Sequence, residues 1–384
     1  MLKEMKSPVE PKYRQIAREL LAEIRANLSI GAKLDPETQM ARRFGVNVLT
    51  IREALRVLQE GGVIQRQRAI GTTVVNPLGG SWVSILCEMD VFSPRSGSLF
   101  LRSVIHHLRR FLRQAGLPSR VSIGETEPAI PCGEITAVDF LADLEANRLA
   151  GVLALSTPPS DWWLQKLIRQ GIPVIGSNDL YPVRVSLAPW EDLNGALRCL
   201  LDYQRDRVAY IGWVDPQGRL GLTDYRAKAL DELERCYPAT LRKEWIKSEI
   251  HPERAGAGWD EFREIWSSGE ERPNGLIVDD EHLLPDVEKA LDELRISVPR
   301  DLLIVSHRTR GNTYQPRHPV IFQETDPSLY AYRMADAFLR LYRGEKLPGP
   351  TIPVPRLIID DAVRNHPDVS HRAWTSGDFS SLSR

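Results

Sequence analysis

The stretch Phe44-Gly45-Val46-Asn47-Val48-Leu49-Thr50-Ile51-Arg52-Glu53-Ala54-Leu55 decides the reading of this chain. A short helix runs into a glycine, and a second amphipathic helix starts almost at once. That is how a helix-turn-helix is written in sequence. DNA binding is therefore the default expectation for the N-terminal segment. The larger remainder is expected to control it.

Working outward, Ile16, Leu20 and Ile24 recur at helical spacing and predict a first helix over residues 13–26. Asp35 ahead of Pro36 reads as a cap followed by Pro at the first helical position. Met40 and Phe44 line the core face of that second helix. Asn47 is placed to cap the third, whose buried stripe is Ile51, Leu55 and Leu58. Gly61-Gly62 ends it, because glycine readily takes the left-handed conformation past a helix end. Residues 63–68 and 72–75 alternate like two strands around Ala69-Ile70-Gly71, which predicts a hairpin wing.

Charge agrees with this division. The 384 residues carry a net charge of −1, but residues 1–76 hold 13 Lys and Arg against 8 Asp and Glu, a net +5, leaving −6 for the rest. A basic reader joined to a mildly acidic body suits a DNA-binding protein, since phosphate contacts dominate DNA affinity. The cysteines Cys87, Cys132, Cys199 and Cys236 show no metal-ligand spacing and no disulfide framework is expected. The N-terminus has no apolar run of signal-peptide type, and no stretch approaches the roughly 20 apolar residues of a membrane span. A cytoplasmic protein without membrane association is expected.

From Trp82 onward, short apolar runs alternate with amphipathic segments. Strands are predicted at 82–87, 120–123, 151–155, 173–176, 208–212, 275–278 and 302–306. Helices are predicted at 99–114, 138–147, 161–170, 190–203, 225–236, 258–267 and 284–294. Alternating β and α units imply an α/β fold with parallel sheets covered on both faces. The joint Asn76-Pro77-Leu78-Gly79-Gly80-Ser81 is too short for a flexible tether. The expected division is residues 1–76 as DNA-binding domain, 77–81 as linker, 82–361 as ligand-sensing and dimerisation domain, and 362–384 as a polar tail, much of it loose after Arg364.

The N-terminal segment resembles the GntR family of bacterial repressors. The matching positions are Tyr13, Gln15-Ile16, Gly31, Leu34, Phe44-Gly45-Val46, Thr50 to Leu55, Leu58, Gly62 and Gly71-Thr72. The resemblance implies a winged helix-turn-helix that binds double-stranded operator DNA. Thr38, Asn47, Val48, Leu49, Thr50, Arg52, Arg56, Arg66, Arg68 and Gly71 would make the contacts. The chain departs from the family, which usually has Ser-Arg at Asn47-Val48 and often Arg at Thr38. Val48 and Leu49 suit thymine methyls where Arg would favour guanine, so the usual family operator is not to be assumed.

The body resembles the periplasmic-binding-protein-like sensor of LacI/GalR repressors. The resemblance rests on residues 171–176, on Asn194-Gly195-Ala196 with Leu200 and residues 207–212, on residues 298–306, and on residues 348–357. The usual Asp before the Asn-Gly-Ala helix is replaced around Ala188-Pro189-Trp190-Glu191. A GntR reader on a LacI-type sensor resembles the arabinose-repressor type of chimera. Two lobes joined by three crossings are implied, placed near residues 186–190, 306–319 and 325–329.

A ligand in such a fold lies between the lobes, outside the carboxyl ends of the strands. That nominates Glu88, Asp90 and Phe92 after the first strand, Ser156 and Thr157 after the third, and Asn178 and Asp179 after the fourth. In the second lobe it nominates Trp213, Asp215, Asp279, Asp280, His307 and Arg308, while Arg226 matches an arginine that grips ligand in many LacI-type sensors. Each also fits a plainer role. Asp279 and Asp280 suit a helix cap, Asn178 and Asp179 a turn, Trp213 the core, and Arg226 a helix surface.

Catalytic motifs are missing. The sequence has no Gly-x-Ser-x-Gly elbow, His-Glu-x-x-His, P-loop or strand-linked Gly-x-Gly-x-x-Gly. No enzyme, cofactor or metal is expected. The expected function is a homodimeric, ligand-responsive repressor of carbohydrate-use genes, released from its operator by a small-molecule effector. Two alternatives stand beside it. One is the same regulator answering a nucleoside, amino acid or phosphorylated sugar; the other is an architectural DNA binder that ignores ligands.

Overall fold

The computed structural model describes residues 11–27, 30–67, 70–92, 98–124, 134–157, 161–177, 180–187, 189–212, 223–248 and 254–368, without the side chains of 25–27, 161, 189 and 223–226. The tail expectation for 369–384 lies outside the described residues.

The N-terminal unit holds α1 (Lys12–Asn27), α2 (Glu37–Phe44), α3 (Val48–Glu60), β1 (Ile64–Gln67) and β2 (Gly71–Val74). Ile16, Leu20, Ile24, Met40, Ile51, Leu55 and Leu58 meet in one core with Val63, Ile64 and Val74. The turn between α2 and α3 is made by Gly45 at φ 63°, whose N–H donates to the carbonyls of Ala41 and Arg42. A side chain there would strain the backbone. Asn47 caps α3, its Oδ1 accepting from Leu49 N at 2.9 Å. The Asp35-Pro36 cap forms differently: Pro36 is the flanking residue, helix begins at Glu37, and no side chain caps it. The wing pairs antiparallel with Arg66 opposite Thr72. Residues 31–34 add a third backbone segment through Gly31 N to Val74 O and Leu34 N to Thr72 O.

The next elements are β3 (Trp82–Cys87), α4 (Leu99–Gln114), β4 (Ser119–Ile123), α5 (Val138–Glu145), β5 (Leu149–Leu155), α6 (Asp161–Arg169), β6 (Val174–Gly176) and β7 (Val183–Ser186). Then come α7 (Pro189–Asp202), β8 (Val208–Ile211), α8 (Thr223–Cys236), β9 (Leu241–Lys247), α9 (Trp259–Ser267), β10 (Gly275–Val278), α10 (Leu284–Glu293), β11 (Leu303–Thr309) and β12 (Val320–Thr325). The last are α11 (Pro327–Tyr342), β13 (Thr351–Pro353), β14 (Leu357–Ile359) and α12 (Asp361–Arg364).

They form two six-stranded sheets, ordered β13-β7-β6-β5-β3-β4 and β14-β12-β11-β10-β8-β9. The first is parallel throughout. The second is parallel except for β14, which runs against β12. Inner strands such as β5, β8 and β10 are apolar throughout because both faces are covered. In the first lobe, side chains of α4 and α11 fill one face and those of α5 and α6 the other. In the second, α9 and α10 cover one face and α7 and α8 the other.

The chain passes between lobes from β7 to α7, at 325–327 and at 353–357. These first two agree with the first and third of the expected positions, near 186–190 and 325–329. The segment 306–319 is not a crossing, because β11 and β12 are neighbours in one sheet. The third crossing instead lies between β13 and β14, within the segment 348–357 that resembles the sensor family. These strands belong to different sheets, so the segment around Arg356 is part of the hinge. Beyond it, Val363 of α12 is buried in the second-lobe core.

Candidate functional site

The first turn of α3 presents the reader's outer surface. Ile51, Ala54, Leu55 and Leu58 take the inward positions, leaving Leu49, Arg52 and Arg56 outside. Leu49 is 63% exposed. Val48 leans on the reader core, and Thr50 is half-buried. Thr38 is exposed on α2. Gly71 sits at φ 107° where the wing re-enters β2. Arg68 lies outside the described residues.

The arginines of this surface are held by carboxylates. Arg52 Nε donates to Glu37 Oε2 at 2.8 Å, and Arg66 Nη2 donates to Glu37 Oε1. Arg56 pairs with Glu53 at 3.0 Å and Glu60 at 2.5 Å on its own helix. Glu37 was not among the nominated residues. The signal for it was an acid in the first turn of α2, where the helix dipole favours negative charge. Its partners, 15 and 29 residues away, could not be read from that.

In the body, the carboxyl ends of β10 and β11 carry the second-lobe nominees. Asp279 follows β10 directly but turns inward. It accepts from the Tyr210 hydroxyl at 2.9 Å and lies 3.9 Å from Arg356 Nη1. Arg356 Nε lies 2.9 Å from Asp192 Oδ2. The three charged side chains are 3–7% exposed. Gln323 Nε2 donates to the Asp192 carbonyl at 2.7 Å, so residues flanking all three crossings meet here. Asp279 thus serves the hinge core rather than an open cleft wall. Neither Asp192 nor Arg356 was nominated, because nothing local marks them; the fold brings them together.

Asp280, the next residue, is half-buried and turns to His282 instead. Its Oδ1 accepts from His282 N at 2.9 Å and lies 2.8 Å from His282 Nδ1. Burial works to raise this carboxyl, but the hydrogen bonds and charge of His282, with the charge of His307, outweigh it and hold it below the usual range. His307 Nε2 lies 3.2 Å from Thr325 Oγ1. Arg308 is committed: its Nη2 donates to Glu324 at 2.7 Å and its guanidinium lies over the Phe322 ring at 4.3 Å. A cavity of about 510 Å³ opens beside this rim, lined among others by Arg254, Glu281, His282, Asn312 and Tyr314.

The first-lobe nominees divide. Glu88 is buried and accepts from Thr136 N, Thr136 Oγ1 and Ala137 N, so it holds the start of α5 rather than facing a ligand. The Thr157 hydroxyl turns inward, donating to Leu155 O at 2.8 Å. Asp90 accepts from Phe92 N at 2.9 Å, which folds a turn that leaves Phe92 exposed. Ser156 is buried at φ 44°. Left-handed backbone at a residue other than glycine is uncommon, and such outliers cluster at ligand sites. Asn178, Asp179, Trp213 and Asp215 lie outside the described residues, as does the side chain of Arg226.

Among the described residues no helix is long and apolar enough to cross a membrane, and no group of three or more His, Cys, Asp or Glu is placed to hold a metal ion.

Comparison with known proteins fits this geometry. Residues 12–74 match the gntR family of bacterial regulatory proteins, and residues 198–361 match the periplasmic binding protein-like domain. The HTH-type transcriptional regulator SmoD of Agrobacterium fabrum is 42% identical over 65 residues, 17% of this chain and 28% of that protein. The chain spans only 27% and 28% of the length of the curated relatives it matches. A LacI family transcriptional regulator from Bifidobacterium animalis subsp. lactis superposes with a TM-score of 0.55 at 17% identity, over 72% of this chain and 95% of that one. The transcriptional regulator CelR, in complex with cellobiose, gives 0.57 at 14% identity, over 85% and 98%. At such identities the likeness is one of fold. The chain joins a gntR-type DNA-binding domain to a two-sheet periplasmic-binding-protein-like domain, and the relatives are transcription regulators, not enzymes.

Proposed function

We propose that this protein is a bacterial transcription regulator that binds operator DNA and is controlled by a small molecule held between the lobes of its body. The carrying observation is the pairing of an outward-facing α3, capped by Asn47 and backed by a complete core, with a two-lobed body whose Leu78 anchors the joint in the first-lobe core. A homodimer on a near-palindromic site follows, because a two-fold reader needs matching half-sites. Such a protein works in the cytoplasm.

A sugar is the favoured effector. Asp280 and His307 offer polar atoms suited to hydroxyl groups at the rim, and CelR, similar in fold, is known with cellobiose bound. An anionic effector is less well supported, since Glu324 already matches the charge of Arg308. Effector binding would release the operator by shifting the lobes between open and closed states, which requires unequal affinity for the two.

The test is fluorescence anisotropy on DNA selected from a random duplex pool, combined with thermal shift against sugars, sugar phosphates and nucleosides. A ligand at 100-fold above Kd adds roughly 2.7 kcal/mol to stability. Sequence-specific binding that a sugar weakens supports the reading. Specific binding with no response to any of the panel would leave an architectural DNA binder.

A further inference from the structure

Leu49 stands apart from the apolar stripe of its own helix. It lies on the first turn of α3 and is 63% exposed, whereas Ile51 and Leu55 of the same helix are fully buried. Its neighbour Val48 already packs against the reader core, so the two apolar residues at this turn are not equivalent. The arginines on the same face are paired with carboxylates. Arg52 and Arg66 share Glu37, and Arg56 lies between Glu53 and Glu60.

We infer that Leu49 reads the 5-methyl group of a thymine in the major groove, and that Arg52, steered by Glu37, serves the phosphate backbone rather than a base edge. This rests on the DNA-binding reading above and names how that surface selects its site. The major groove admits a helix, and the thymine methyl is the one apolar feature of its base-edge code. Leu49 offers an apolar surface that nothing within the described reader covers. Removing one methyl from water against it is worth about fourfold in affinity. Glu37 lowers the positive charge beside this turn, which weakens indiscriminate attraction to DNA and leaves relatively more of the selection to shape and methyl contact.

The experiment uses the full chain and a duplex selected from a random pool. Each thymine of the selected half-site is replaced in turn by deoxyuracil, which removes the methyl and nothing else. Wild-type protein is expected to bind one such duplex about fourfold more weakly. Leu49→Ala is expected to bind thymine and uracil duplexes alike, with an unchanged melting temperature because the side chain is exposed. Arg52→Ala is expected to keep the uracil penalty while losing affinity for every sequence. Sequence-specific binding with no uracil penalty at any position overturns the inference, as does a penalty that survives in Leu49→Ala. Failure to enrich any site overturns the DNA-binding reading itself.

Discussion

Glu37 holds Arg52 at 2.8 Å, tying the start of α2 to the exposed face of α3. The other carboxylate oxygen of Glu37 receives Arg66 from the wing. One acid therefore fixes two candidate DNA contacts relative to each other across three elements. It also cancels part of the charge with which they would meet DNA. Glu37→Ala should raise affinity for all duplexes and steepen the salt dependence by about one unit or more, since each phosphate neutralised adds about 0.9 to the fall of log K per tenfold rise in salt. The stability change should stay under about 1 kcal/mol, as expected for partly exposed pairs. Anisotropy at several salt concentrations checks this. An unaltered slope would mean that neither arginine reaches a phosphate.

The hinge carries charge of a different kind. Arg356 is 5% exposed between Asp192 and Asp279, which are 7% and 3% exposed. Removing one member of a buried ion pair costs about 3–5 kcal/mol, because the remaining charge keeps its desolvation penalty. Arg356→Ala should destabilise by that order in urea unfolding. Arg364, 62% exposed beside Asp360, is the control, and Arg364→Ala should cost under about 1 kcal/mol. Equal effects would show that the hinge cluster is hydrated.

Glu324 predicts the response to acid. Burial pushes its carboxyl up, but Arg310 and Arg308 together outweigh that and bring it below its ordinary value of 4.5. A carboxyl lowered in the folded state stabilises the fold above its unfolded value and loses that contribution as pH falls through the folded one. Glu324→Gln should therefore flatten the loss of melting temperature below pH about 4.5. A parallel acid limb in wild type and variant would remove Glu324 from the acid transition.

How far the sequence alone reaches can be judged from particular residues. The reader was legible because each signal is local: Gly45 makes the turn, Asn47 caps, and Ile51, Leu55 and Leu58 repeat at helical spacing. Of the inner strands, β3, β5, β6, β8, β10 and β11 were legible from their apolar runs, whereas β7 and β12 were missed because polar residues such as Arg184, Gln323 and Glu324 break the pattern. β9 was missed too, because Arg242, Lys243, Glu244 and Lys247 give an edge strand the look of a loop. α11 had readable spacing in Tyr330, Met334 and Phe338, but its place follows a crossing that only the sheet order reveals. The Asp192–Arg356–Asp279 cluster spans 164 residues of sequence and exists only once both sheets have formed. Strand ends pointed to the cleft rim, but which side chain turns inward there depends on partners such as Tyr210 and Thr136 in other elements.

The joint between reader and body gives the last prediction. Asn76 N and Val75 N both donate to Val63 O, which makes the start of the joint part of the reader. Leu78, two residues later, is buried in the first-lobe core. Between them Asn76 Oδ1 accepts from Leu78 N at 2.9 Å, closing a turn. Gly79, at φ 62°, passes so close to the reader that a Cβ would sit 3.0 Å from Val63. Four residues thus couple the two units without slack, and a lobe movement would be delivered to the reader as a change of geometry. Inserting Gly-Ser-Gly-Ser between Asn76 and Pro77 breaks that coupling while leaving both cores intact. Effector-free affinity for the selected duplex should stay within about tenfold, because avidity falls only slowly with linker length. The effector response, expected to be about 5- to 150-fold for coupling of this kind, should disappear. The same insertion after Gly344, on an exposed turn, should change neither property. A variant with the joint lengthened that still answers effector as wild type does would show that the signal reaches DNA by another route, such as a change in dimer geometry.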